Sequence, residues 1–248
     1  MINISAVSYL NTRPFIYGLN SSNSLLTKTN IHLDYPSICA DKLINGVVDI
    51  GLVPIVTINS LPFSNIISDF CIGSNGKVDT VCVYSDVPIN KVETILLDYQ
   101  SRTSILLLKI LLKEYWKLNP YLVFSDKYYI DSIKNNCAGL VIGDRAFNLN
   151  NKYNYVYDLS EMWRNLTSYP FVFAVWVANK KINKHFINDF NEAIQFGINN
   201  IHDALLNFPE SYTLCKDPEE YLNNKIEYIL DARKRESIRL FFEKMNQI

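Results

Sequence analysis

The chain has 248 residues, of which 48% are hydrophobic, so it is long enough to bury a core in each of two small lobes. Its net charge is -1 and it has no basic block, so we expect no nucleic-acid partner. No apolar stretch approaches the ~20 residues of a membrane span, and the N-terminus lacks a leader pattern, so we expect no membrane partner. The five cysteines form no C-x-x-C pair, which indicates reduced thiols in a cytoplasmic protein.

The first part of the chain alternates strands with helices. Strands are predicted over residues 2–7, 31–35 and 48–53, with helices over about 13–19 and 37–45 between them. Such alternation is typical of a parallel sheet with flanking helices, so we expect an α/β fold whose sheets are parallel or mixed.

The middle of the chain repeats this alternation. Strands are predicted over residues 94–98, 121–124 and 139–142, with helices over 103–118 and 127–136. The chain therefore contains two strand-helix units, each able to form its own sheet.

Two further β-type segments, at residues 79–85 and 171–178, stand where the chain would cross between the lobes. They predict a double-strand hinge that joins a discontinuous lobe, residues 1–84 plus 175–248, to a lobe of residues 85–174. Apolar residues in the tail recur at spacings of three or four, which predicts helices that cover the lobes. These residues are Phe186, Phe190, Ile194, Ile198, Ile201 and Leu205, followed by Ile226, Ile229, Ile238, Phe241 and Met245.

A polar loop follows the first strand and re-enters a helix at Arg13 and Pro14. Asn11 in this loop lies beyond the carboxyl end of a strand, the usual ligand position in open α/β sheets, or else it completes an Asx turn of its own loop. Arg13 either pairs with a substrate carboxylate or is a surface residue of the first helical turn. Ser37 begins the next helix, where we expect it to cap the helix and also to face a ligand.

A second anion site is predicted where the strand over residues 94–98 leads into Ser101, Thr103 and Ser104 at the head of a long helix. One such loop in each half predicts one small anionic ligand held from two sides. Asp144 follows a later strand, where it either caps the next helix or contacts the ligand. The three histidines are scattered without ligand spacing, so we expect no metal site.

Six strings of residues, in chain order, resemble the chorismate dehydratases of the futalosine route to menaquinone. They are SYLNTRPF (8–15), DIGLVPI (49–55), LDYQSRTS (97–104), IGDRA (142–146), DLSEMW (158–163) and PFVFAVW (170–176). The resemblance implies the two-lobed fold of type II periplasmic binding proteins, and loss of water from chorismate without a metal or organic cofactor. It also implies that Asn11 matches the catalytic asparagine of the family and that Thr80 stands where the family has a serine hydroxyl.

The chemistry of the base is a separate question, because the strings contain no histidine. Helix capping explains the carboxylates of Asp98 and Asp144. We therefore hypothesise, as the resemblance also suggests, that the enolpyruvyl carboxylate of chorismate removes the ring hydrogen.

Two other functions remain open. The sister enzyme of the pathway, which forms dihydroxynaphthoate, has the same fold, but its YSPCPNDTF-like start and its histidine base are absent here. A non-catalytic binding protein for a small carboxylate would share the fold and both anion sites, and the lack of a leader pattern argues against it. The sequence leaves the oligomeric state open.

Overall fold

The computed structural model describes residues 1–149 and 151–248. Strands β1 to β11 are Ile2–Val7, Thr29–Asp34, Ile50–Pro54, Asn65–Ser74, Val81–Ser85, Thr94–Leu97, Tyr121–Phe124, Cys137–Ile142, Tyr155–Asp158, Phe171–Ala178 and Glu227–Ile229. Helices α1 to α10 are Arg13–Ser21, Asn23–Leu26, Pro36–Ile44, Thr103–Leu111, Leu159–Thr167, Lys184–Asn199, Ile201–Asn207, Ser211–Leu214, Pro218–Asn224 and Ala232–Met245. The chain divides into two compact units, one of Met1–Gly73 with Val172–Ala232, the other of Ser74–Phe171 with Arg233–Ile248.

The first unit contains a six-stranded mixed sheet with strand order β11-β4-β10-β3-β1-β2. Strand β1 is parallel to β2 and β3, whereas β10 is antiparallel to β3 and β11 is antiparallel to β4. Every residue of β3 is buried, as expected for a strand in the interior of a covered sheet. The carboxyl ends of β1, β2 and β3 therefore meet at one edge of this sheet.

Helices α1 and α6 of the first unit cross with their backbones in close approach. A Cβ atom on Gly18 would lie 1.9 Å from the carbonyl oxygen of Ala193, and one on Gly197 would lie 1.8 Å from the carbonyl oxygen of Pro14. Only glycine fits at either position, because no side chain can be accommodated at such distances. The crossing fixes the first turn of α1, directly after the polar loop.

The second unit contains a five-stranded mixed sheet with strand order β7-β6-β8-β5-β9. Its aromatic core includes Trp163, Phe171 and Phe241, whose rings meet edge to face with centroids 5.3 to 6.0 Å apart. The indole nitrogen of Trp163 also donates to the hydroxyl of Ser237, 3.0 Å away. Helix α10 therefore belongs to this unit, although it follows the first unit in sequence.

The structure corrects several predicted boundaries. The chain passes between the units three times rather than twice, after Gly73, Phe171 and Ala232. Residues 74–84 and 233–248, predicted in the first lobe, belong to the second unit, because β5 pairs with β8 and β9 and because α10 packs on Trp163.

Three predicted helices also differ from the structure. The helix predicted over residues 127–136 is wrong, since only a 3-10 turn over Tyr129–Ser132 forms before Asn135 takes a positive φ of 54°. The tail helix does not include Ile226 and Ile229, because Glu227–Ile229 pairs with β4 instead. Helix α4 ends at Leu111 and continues only as a π-helical turn over Leu112–Trp116.

Candidate functional site

The loop that follows β1 is held by a hydrogen bond within the loop and by another from a distant tyrosine. It contains a 3-10 turn over Leu10–Thr12, and the buried hydroxyl of Thr12 lies 2.8 Å from the carbonyl oxygen of Tyr9. The phenol of Tyr228 donates to the carbonyl oxygen of Asn11 at 3.1 Å. Burial raises the pKa of Tyr228 well above its ordinary value, so this phenol keeps its proton and remains a donor. The backbone of Asn11 is therefore fixed.

The side chain of Asn11 carries a buried atom that is not satisfied. Its Oδ1 has no hydrogen-bond partner within the described part of the chain. An Asx turn would need this atom to accept an N–H of its own loop, and no such bond is present. Because buried polar atoms are nearly always paired in folded proteins, an unpaired acceptor on a fixed loop indicates a place where a ligand donates.

Arg13, two residues further on, already has an anionic partner. Its Nη2 lies 3.0 Å from Oε1 of Glu210, and its guanidinium lies 4.4 Å from the ring centroid of Phe208. The Arg13 side chain is only 13% exposed, whereas that of Glu210 is 51% exposed. Arg13 is thus not a free surface residue, and its binding of a substrate carboxylate stays a prediction.

Ser37 is the second residue of α3 and not its cap. The helix begins at Pro36, whose fixed φ suits the first helical position, and the N-cap residue is Tyr35. The capping role predicted for Ser37 is therefore wrong. Because β1 and β2 are parallel neighbours, Ser37 and Asn11 follow strands that end at the same edge. The rings of Tyr9 and Tyr35 confirm that the two loops are close, with centroids 6.4 Å apart.

At the end of β2, the carboxylate of Asp34 binds the polar side chains next to it. Asp34 accepts a hydrogen bond from the hydroxyl of Ser5 at 2.7 Å and pairs with Nζ of Lys42 at 2.6 Å. Burial raises the pKa of the nearby Cys39 to about 12, so its sulfur remains a thiol and does not act as a nucleophile. All five cysteines are free, and three of them are buried.

In the second unit, the anion site predicted at the start of α4 consists of buried side chains. Ser101, Thr103 and Ser104 are all buried. The hydroxyl oxygen of Ser101 accepts the N–H of Ser104 at 3.2 Å, which is the bond that a capping serine makes. The N-cap position of α4 is Arg102, so the Ser101 hydroxyl binds the first turn of the helix from the residue before the cap.

Asp98, which sequence analysis assigned only to capping, is the centre of this region. It is fully buried, and Nη2 of Arg145 lies 2.7 and 2.6 Å from its two carboxylate oxygens. It also accepts the N–H groups of Gln100 and Ile142, each at 2.9 Å, and the hydroxyl of Tyr129 lies 2.9 Å from it. Sequence analysis missed Arg145 and Tyr129. The strings LDYQSRTS and IGDRA contain Asp98 and Arg145, but nothing in the sequence signalled Tyr129.

Thr80 and Asp144 are neighbours in the second unit. Thr80 is buried just before β5, and its carbonyl oxygen accepts the N–H of Gly143 at 2.9 Å. Asp144 is half-buried and lies inside a 3-10 helix over Gly143–Leu149, so the predicted position of Asp144 as the cap of this helix is wrong. Ile142 links this segment to Asp98. The structure thus brings Thr80, Asp144 and the start of α4 together in one unit, and Asn11, Arg13 and Ser37 together in the other.

In residues 1–149 and 151–248, no three His, Cys, Asp or Glu side chains are grouped as a metal ion would need. His32, His185 and His202 are all exposed, and none lies in the six strings. Within those residues, no helix has the length and apolar character to cross a membrane.

Comparison with known proteins decides the family. A family model described as menaquinone biosynthesis matches residues 2–247. The chain belongs to this family. The predicted link to the menaquinone route is therefore confirmed at the level of the family.

Solved structures show the fold of this family member. Protein AF1704 from Archaeoglobus fulgidus is 14% identical, with a TM-score of 0.77 over 99% of this chain and 97% of that one. The CA3427 gene product of Candida albicans, described as having the generic periplasmic binding protein fold, is 11% identical, with a TM-score of 0.64 over 100% and 94%. The periplasmic aliphatic sulphonate binding protein SsuA of Escherichia coli is 13% identical, with a TM-score of 0.61 over 99% and 85%. The fold is periplasmic-binding-protein-like, with two mixed sheets and flanking helices, as predicted.

Proposed function

We propose that the protein is a chorismate dehydratase, which removes water from chorismate to give 3-[(1-carboxyvinyl)oxy]benzoate in the futalosine route to menaquinone. The observation that carries the proposal is the buried, unpaired Oδ1 of Asn11 on a fixed loop, within the string SYLNTRPF. The family match over residues 2–247 supports a reaction of menaquinone biosynthesis. The proposal includes no cofactor and no metal, and a cytoplasmic location.

The reaction makes modest chemical demands on the protein. Chorismate loses its ring hydroxyl together with the hydrogen on the neighbouring ring carbon, so one C–O bond and one C–H bond break and one water leaves. The ring becomes aromatic, which drives the reaction forward. The protein then has to place the substrate and stabilise developing charge, tasks that fixed amides, hydroxyls and helix starts perform.

The roles proposed for the residues follow from their chemistry. Asn11 and Thr80 are the catalytic residues, which address the leaving hydroxyl through an amide and a hydroxyl group. The substrate-binding residues are Arg13, Ser37, Ser101, Thr103, Ser104 and Asp144. The start of α4 favours a carboxylate by about 0.5 to 1 kcal/mol through the dipole of the helix.

A non-catalytic binding protein for a small carboxylate is the alternative. The fold likeness to SsuA, named as a sulphonate binding protein, favours this second candidate. The sister enzyme that forms dihydroxynaphthoate is less well supported, because all three histidines are exposed and lie outside the strings.

One experiment separates these functions. Purified protein is incubated with chorismate, and the mixture is followed by liquid chromatography with mass detection for an aromatic product that has lost one water. A dehydratase forms this product catalytically, and the Asn11→Ala variant forms it far more slowly. A binding protein gives heat on titration with chorismate but no product. Absence of both product and binding would contradict the proposal.

A further inference from the structure

Asp158, the first residue of the string DLSEMW, is a buried carboxylate that the proposed reaction does not use. Its Oδ1 accepts the N–H groups of Ser160 at 3.0 Å and Glu161 at 3.2 Å, at the start of α5. Its Oδ2 accepts the N–H groups of Val78 at 2.8 Å and Asp79 at 2.7 Å. A helix cap requires only the first pair of bonds. The second pair ties the carboxylate to the turn before β5.

That turn has an unusual backbone conformation. Asp79 has a φ of 64°, in the left-handed region that residues other than glycine seldom adopt. Such a conformation persists only where the surrounding structure holds it. Thr80 follows directly, so the conformation of Asp79 sets the direction in which the chain presents the Thr80 hydroxyl. The N–H of Gly143 fixes the carbonyl group on the other side of Thr80, at 2.9 Å.

We infer that Asp158 is a positioning residue, which holds the left-handed turn at Asp79 so that the hydroxyl of Thr80 is presented in one place. The inference rests on the proposed function, in which Thr80 is catalytic. Asp158 is 4% exposed and contacts the turn through the backbone N–H groups of Val78 and Asp79, and the thiol of Cys82 lies 3.8 Å from the same oxygen. Its loss is therefore expected to impair the chemical step rather than substrate binding.

The Asp158→Asn variant tests this inference. Asparagine keeps the size of the side chain and one acceptor oxygen, but its NH2 group faces two of the four N–H donors. We expect kcat to fall about a hundredfold with KM nearly unchanged, the effect of a catalytic group that is present but misplaced. Kinetics are measured at a temperature where circular dichroism shows the variant to be folded.

Asp217→Asn is the matched control. Asp217 caps α9 by accepting the N–H of Glu220 at 3.0 Å, and it is exposed, so the same substitution changes a capping carboxylate to an amide without touching the turn. We expect its kcat to be unchanged. A comparable fall of kcat in Asp217→Asn would overturn the inference, because the same change at any capping carboxylate would then have the same effect.

A second pair of variants leaves Asp158 in place and changes the turn itself. Valine is strained at a positive φ and glycine is not, so Asp79→Val is expected to lower kcat and Asp79→Gly to retain more turnover than Asp79→Val. If Asp158→Asn fails to fold, the two Asp79 variants test the inference in its place. Equal kcat values for Asp79→Val and Asp79→Gly would then overturn it. A wild-type kcat in folded Asp158→Asn would overturn this inference alone. Absence of dehydration by the unchanged chain would overturn the proposed function and, with it, this inference.

Discussion

Arg145 bridges both carboxylate oxygens of Asp98 through a single nitrogen, Nη2, at 2.7 and 2.6 Å. The side chain of Asp98 is 0% exposed and that of Arg145 is 27% exposed. The guanidinium also lies 5.1 Å from the ring centroid of Tyr99. This ion pair joins the strings LDYQSRTS and IGDRA. Through it, Arg145 in the segment after β8 holds Asp98 in the segment that leads into α4.

Asp98→Asn is expected to destabilise the protein by about 2 to 4 kcal/mol, because it leaves Arg145 without its charged partner and turns an NH2 group toward other donors. The free energy of unfolding is measured by urea denaturation. Glu236→Gln is the control, since it makes the same change in an exposed ion pair with Arg239 and should leave the midpoint unchanged. Equal effects of the two changes would contradict a structural role for the buried pair.

Gly197→Ala is expected to destabilise the protein by about 3 kcal/mol or more, because the new methyl group would overlap the carbonyl of Pro14 and force α1 and α6 apart. Gly46→Ala is the contrasting variant. Gly46 has a φ of 69° but open space around a Cβ, so alanine there is strained without overlap. Its expected effect is only about 1 to 2 kcal/mol. Urea denaturation of both variants distinguishes steric overlap from backbone strain.

The sequence predicted those parts of the fold that depend on local pattern. The alternation of strands and helices was readable because β1, β3 and β6 are apolar runs followed by turn residues. The error at Ile226 and Ile229 has a different cause. Their spacing suits a helix as well as a short strand, and only the pairing of Glu227 with Gly73, far away in the chain, decides between them. The spacing of apolar residues within one segment does not show which distant strand that segment pairs with.

The same distinction applies to the candidate site. Asn11 could be singled out because a polar loop after an apolar strand is a local feature. The ion pair of Asp98 with Arg145 joins residues far apart in the chain, as does the contact of Asp158 with the turn at Asp79. A single sequence shows each of these residues as an ordinary capping or surface group. Their roles become visible only when β5, β6, β8 and β9 assemble into one sheet.

The stability of the protein is expected to depend on pH through Asp158. Burial raises the pKa of this carboxyl from 3.8 to about 6. Between about pH 4 and pH 6 the folded chain therefore holds this proton while the unfolded chain has released it, so this group's contribution to stability falls as pH rises through that window. Thermal unfolding of the wild type and Asp158→Asn across this range should show the wild type losing stability relative to the variant. The opposite slope would mean that the four N–H bonds outweigh burial.

Asn11→Ala is expected to lower the turnover of chorismate by at least about a hundredfold, the effect of losing one placed polar group. The unfolding temperature should change little, because Oδ1 of Asn11 makes no hydrogen bond within the described residues. Asn20→Ala removes an exposed asparagine from the helix that follows and serves as the control. Near-normal turnover in Asn11→Ala would remove Asn11 from the catalytic residues.

The base that removes the ring hydrogen is expected to come from the substrate. All three histidines of the chain are exposed and outside the strings, and the carboxylate of Asp98 is already bound by Arg145 and by backbone N–H groups. A general base must reach its proton at hydrogen-bond distance. The enolpyruvyl arm of chorismate is attached to the ring close to that hydrogen, so its carboxylate is within reach. The protein then has only to fix the orientation of the arm.

A chorismate analogue in which the enolpyruvyl carboxylate is an amide tests this expectation. It should still bind, measured by calorimetric titration, because its ring carboxylate is unchanged and can occupy an anion site. It should not lose water, measured by mass detection over many turnover times of chorismate, because an amide is too weak a base. The matched analogue, with the ring carboxylate as the amide, should bind more weakly yet still lose water. Dehydration of the first analogue at a rate like that of chorismate would instead assign the base to a side chain, with Asp144 and Asp98 the first to be replaced.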